Sequence, residues 1–149
     1  MSVSENNLQQ IFSEETEYIL FLNNDSICKL NFQSCDCDSV LIKLKNQNEL
    51  ICIECNNEVL DIKNVSSFDS AAFSLKHTPS RDVHISFVSA EFNKNGVEGL
   101  KFRYCDRYLF FFANEDGGLI ITISQYDLFE EDDTPIPDND DSNLYLEKI

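Results

Sequence analysis

Four evenly punctuated apolar runs between residues 83 and 124 constrain this chain more than any other feature. They span 83–92, 97–105, 108–113 and 119–124. The breaks between them are Asn93-Lys94-Asn95-Gly96, Asp106-Arg107 and Asn114-Glu115-Asp116-Gly117-Gly118. Strand-length runs bounded by Asn, Asp and Gly are the pattern of antiparallel strands joined by tight turns. The run 108–113 is apolar almost without interruption, which suits a central strand covered on both faces.

The first half follows the same rule less strictly. Residues 18–22 and 27–32 flank Asn23-Asn24-Asp25, a hairpin signal. A polar loop over 33–38 leads to a strand at 40–45. Asn46-Gln47-Asn48 turns the chain into 50–55, and Asn56-Asn57 turns it into 59–63. Two helices are expected beside the strands. Ser4 caps the first, which runs to about residue 15 with Leu8, Ile11 and Phe12 on one face. Ser66 and Asp69 form a capping box for the second, with Phe68, Ala71, Ala72 and Leu75 at helical spacing before Thr78-Pro79. Phe73, Leu75 and His77 also alternate as a strand would. The predicted fold is therefore α+β and predominantly antiparallel β, a curled meander sheet with a short N-terminal helix and one short middle helix.

At 149 residues, the length fits one domain, and 42% hydrophobic residues are enough for a packed core. Charge divides it unevenly. Of the formal net charge of −16, half lies in residues 127–149, which hold nine acids and one base, Lys148. We therefore separate a β-rich domain, 1–126, from an acidic C-terminal segment, 127–149. In that segment Pro135 and Pro137 block helix continuation, and the dense like charge favours extended, solvated chain. Such a balance disfavours direct nucleic-acid binding, which needs cations to displace phosphate counterions, and favours a basic protein partner. Lys101, Arg103 and Arg107 are the one basic cluster. Lys101 and Arg103 share a strand face, placed to pair with nearby acids or to receive the acidic segment.

Chemistry is hard to find. No phosphate-binding glycine motif and no nucleophile elbow occurs among the four glycines. His77 and His84 have no nucleophilic signature beside them, and no enzymatic activity is expected. Cys35-x-Cys37 and Cys52-x-x-Cys55 invite a zinc or redox reading. However, residues 50–55 read as a strand, and a three-residue separation there sends the two thiols to opposite faces. Asp36/Asp38 and Asp138/Asp140/Asp141 lack the glycine and terminal Glu of a calcium loop. No cofactor or metal is expected. The N-terminus lacks a signal-peptide pattern and no apolar run is long enough to span a bilayer, so a cytosolic protein with no membrane partner is expected.

A small acidic chain without catalytic motifs resembles the immunity proteins that bacteria carry against their own toxins. That resemblance implies an inhibitor that binds and neutralises a basic cognate toxin, a nuclease by class, by occupying its active-site cleft with carboxylates. The residues expected to contact the partner are Asp127, Phe129, Glu130, Glu131, Asp132 and Asp133, with Glu115 and Asp116 in the neighbouring loop. Charge speeds encounter and interleaved apolar residues slow dissociation. The alternatives are a DNA-mimic inhibitor of a nucleic-acid-binding protein and a small Cys-rich zinc or redox domain. The sequence leaves the oligomeric state open.

Overall fold

The computed structural model describes residues 4–22, 31–32, 34–67, 73–79, 84–114, 117–129, 144–145 and 147–148. The chain opens with helix α1 (Glu5–Ile11), whose N-cap Ser4 accepts a hydrogen bond from the Asn7 N–H at 3.2 Å. Its inward positions, Leu8 and then Phe12 at the C-cap, are buried. The helix ends earlier than residue 15, and the Phe12 N–H closes its last turn on the Leu8 carbonyl.

Thirteen strands follow among the described residues. They are β1 (Thr16–Leu22), β2 (Asn31–Phe32), β3 (Ser34–Cys37), β4 (Ser39–Leu44), β5 (Leu50–Asn56), β6 (Val59–Val65) and β7 (Phe73–His77). Then come β8 (Ile85–Asn93), β9 (Gly96–Tyr104), β10 (Arg107–Ala113), β11 (Leu119–Ser124), β12 (Leu144–Tyr145) and β13 (Glu147–Lys148). The expected fold class stands: antiparallel β dominates, with one short helix. The two meanders β4–β5–β6 and β8–β9–β10–β11 also form as the turn signals require.

The strands divide between two sheets rather than following one curled meander. The first has the order β13-β7-β1-β4-β5-β6 and the second β3-β11-β10-β9-β8, while among the described residues β2 pairs with β12 alone. Their apolar faces share one core. Ile19, Phe21, Val40, Ile42, Ile51, Ile53 and Leu60 come from the first sheet. Leu100, Phe102, Leu109, Phe111, Leu119 and Ile121 come from the second, and Leu8 and Phe12 of α1 join them. Register explains the sorting, because directly paired residues share a face: Ile19 opposes Ile42, and Ile42 opposes Ile51.

Three local expectations are corrected. Of the expected hairpin between 18–22 and 27–32, residues 23–30 lie outside the described residues, and the described Asn31–Phe32 is not paired with β1. Both edges of β1 are taken by β4 and β7, and β2 pairs with β12 instead. The polar loop at 33–38 is largely β3, bonded to β11. The chain passes from the second sheet to the first at Asp38. Buried Cys37 marks this corner, its thiol donating to the Ser39 carbonyl at 3.0 Å. Finally, the described part of the expected middle helix, Phe73–His77, is strand β7; residues 68–72 lie outside the described residues. The second edge of β1 needs a backbone partner, and that pairing overrides a weak helical period.

Candidate functional site

The outward face of the second sheet carries the features most unlike an ordinary solvated surface. On β9 and β10 the residues alternate: Phe102, Leu109 and Phe111 enter the core, while Lys101, Arg103, Tyr108, Phe110 and Phe112 face out. Phe110 is nevertheless fully buried. Its cover is Phe129, which meets the Phe110 ring edge-on at 5.3 Å and the Phe112 ring at 5.9 Å between centroids. Phe110 and Phe112 stack along the strand at 5.4 Å.

Gly99 makes this packing possible. A Cβ there would lie 3.0 Å from Phe129 Cε1 and 3.1 Å from Phe112 Cδ1, so the missing side chain is the notch that admits the ring. Lys101, next on the same face, crosses from the opposing strand position of Phe110. Its ammonium donates to Asp127 Oδ2 at 2.6 Å and lies 5.5 Å from the Phe129 ring and 5.3 Å from the Tyr108 ring. Asp127 Oδ1 accepts from the Phe129 N–H at 3.0 Å, which fixes the turn presenting the ring. Arg103 also lies over Tyr108, 5.3 Å from its ring.

Two of the expected partner-contacting residues thus serve the fold. Asp127 and Phe129 are half-buried and latch the start of the acidic segment onto the sheet. Glu130, Glu131, Asp132, Asp133, Glu115 and Asp116 lie outside the described residues. Further along the chain, β12 pairs with β2, and β13 pairs with β7 in the first sheet. Residues 130–143, with seven acids and no base, are therefore anchored at both ends to the folded body.

Beside the latch, Phe112 and Ala113 line a cleft of about 260 Å³ whose other walls are Glu58, Glu91, Glu98 and Asn93. The β5–β6 turn supplies Glu58, with Asn57 and Glu58 both at positive φ (54° and 70°), the backbone of a tight primed hairpin. Asn93 ties the turn down by donating to the Glu58 carbonyl at 3.3 Å. None of these glutamates was singled out from sequence. They come from three separate strands or turns, and only the fold gathers them. Gly99 was legible in principle, since a glycine inside a strand pattern marks close approach.

Cys37, Cys52 and Cys55 are packed into the fold, while Cys28 and the side chain of Cys35 lie outside what the structure describes. Cys52 and Cys55 do lie on opposite faces of β5: Cys52 packs with Leu41, whereas Cys55 packs against the shared core. Burial pushes the Cys37 thiol up to about 12 and the Cys52 thiol, beside Glu54, up to about 11. Both are held as neutral groups at physiological pH. Cys105 is exposed in the β9–β10 turn at φ 58°. Among the described residues, no group of three or more His, Cys, Asp or Glu side chains is placed to hold a metal ion. His77 is buried at the end of β7, its ring 5.6 Å from Tyr104. His84 is exposed and its Nδ1 lies 2.8 Å from Glu15 Oε2. No helix among the described residues is long and apolar enough to cross a membrane. No family model matches the chain, and no curated protein or solved structure matches it either.

Proposed function

We propose that this chain is a protein inhibitor of the immunity type, which binds a basic cognate toxin in the cytosol and blocks its active-site cleft with carboxylates. A nuclease is the class of toxin that fits best, because a nuclease cleft is built to hold phosphates. One observation carries the reading: the most acidic stretch of the chain, 130–143, is anchored to the body at both of its ends. A segment tethered at both ends has fewer conformations open to it than a free tail, so binding costs less entropy. The Glu58, Glu91 and Glu98 cleft beside Phe112 adds negative charge next to the point where the segment departs. Long-range attraction between opposite charges then raises the association rate towards about 10⁸–10⁹ M⁻¹s⁻¹ at low salt.

The test is an activity titration. The purified chain is added to the product of the neighbouring reading frame, and nucleic-acid cleavage is followed. The reading expects stoichiometric inhibition that weakens steeply with salt. It also expects E130Q/E131Q/D132N/D133N to slow association and flatten the salt dependence while leaving the melting temperature in place. A neighbouring product whose activity is untouched by the chain, or inhibition indifferent to the fourfold variant and to salt, refutes it.

A further inference from the structure

A second cleft, of about 430 Å³, opens at one end of the two packed sheets, between the last turn of α1, the β4–β5 turn and β6. Its volume falls within the roughly 300–1,000 Å³ of small-molecule sites. The lining chemistry departs from the rest of this acidic protein. Five residues with side-chain amides line it: Gln10 from α1, Asn46, Gln47 and Asn48 from the turn, and Asn64 from β6, all exposed. Among the described residues Glu49 is the one charged residue in the lining, and Ile11, Leu44 and Ile51 supply the apolar part.

Asn64 breaks the pattern of its own strand. Leu60 and Ile62 face the shared core, and Asn64 continues that series, paired directly with the core residue Ile51. The inward position that would ordinarily take an aliphatic side chain holds an amide, exposed at the mouth of the cleft. The turn is shaped to match: Asn46 sits at φ 65°, and the Gln47 N–H bonds back to the Leu44 carbonyl at 3.4 Å.

We propose that this cleft binds a neutral saccharide through a pyranose ring. Each primary amide offers a donor and an acceptor side by side, and neighbouring ring hydroxyls, which both donate and accept, present the complementary pair. The C–H face of the ring would pack on half-buried Ile11. The same lining argues against other small ligands. Among the described residues it has no lysine or arginine to hold a phosphate or carboxylate, and no aromatic ring on which a nucleobase would stack.

The full chain, labelled with ¹⁵N, is titrated with methyl β-glucoside, methyl β-galactoside and N-acetylglucosamine into the tens-of-millimolar range, with acetamide as a probe of simple amide pairing. At least one sugar is expected to give saturable shifts confined to the Asn46, Asn48, Asn64 and Gln10 signals and their neighbours. Asn64→Leu extends the apolar series of β6 and so should fold; it is expected to weaken that binding about tenfold, as is Asn48→Ala in the exposed turn. Shifts from no sugar, shifts that map elsewhere, equal shifts from acetamide, or binding unchanged in both variants would each overturn the proposal. The assay is independent of the toxin titration, so either idea can fail alone.

Discussion

The Phe129 latch predicts a measurable coupling between two residues thirty positions apart in the chain. Replacing a fully buried Phe by Ala costs about 3–5 kcal/mol. Phe129 is half-buried, and it loses two edge-on aromatic contacts, about 0.5–1.5 kcal/mol each, together with a cation–π contact to Lys101. Phe129→Ala should therefore cost about 2 kcal/mol. For a chain of this length that lowers Tm by about 4–8 °C. Gly99→Ala should cost about 2 kcal/mol in the intact protein, because its Cβ would meet Phe129 at 3.0 Å and Phe112 at 3.1 Å. Once Phe129 is gone, about half of that clash is gone too, while the Phe112 contacts at 3.1 and 3.3 Å remain. The G99A/F129A double variant should thus be more stable than the two single costs imply, by about 1 kcal/mol. Thermal and urea melts of the four proteins measure the cycle. Additivity to within about 0.3–0.5 kcal/mol, or an F129A protein as stable as the parent, would show that the ring does not sit in the Gly99 notch.

Other outcomes follow from the same geometry. Cys105→Gly relieves a left-handed backbone at φ 58° and should raise stability by about 0.5–1 kcal/mol, read from a urea melt; a loss would mean the turn is unstrained. Timed alkylation with mass mapping should label exposed Cys105 well before Cys37 and Cys52, whose thiols burial holds up to about 12 and about 11. The Glu15 carboxyl, held down first by its hydrogen bond from His84 and then by Lys45, should titrate below its ordinary value of 4.5 in a carbon-detected NMR titration. Because its folded-state value is lowered, its contribution to stability is present above the ordinary carboxylate range and disappears as pH falls through the lowered one. His84→Ala should move the Glu15 midpoint back up.

Local chemistry made much of this architecture readable in advance. Alternation along β5, β9 and β10 is a property of each strand alone, because successive side chains point to opposite faces. It correctly separated Cys52 from Cys55 and put Lys101 on the face opposite Phe102. Turn residues are equally local: Asn93 accepts from the Asn95 and Gly96 N–H groups and closes its own hairpin. The pairing of a basic cluster with the acidic segment was also visible as a charge argument, and Lys101 with Asp127 realises it.

Tertiary structure decided the rest. A strand's pattern says which face is apolar, but does not name its neighbour. Whether Phe73–His77 became helix or strand depended on an open edge of β1, more than fifty residues earlier. The same holds for Ser34–Cys37, a polar stretch made into a strand by β11. Most consequentially, the residues 127–149 that read as a free acidic tail begin with a ring seated in a glycine notch and end paired to both β2 and β7. Composition fixed how much negative charge this protein carries. Only long-range contacts, which no local pattern encodes, determined that the most acidic stretch is held at both ends against the folded body.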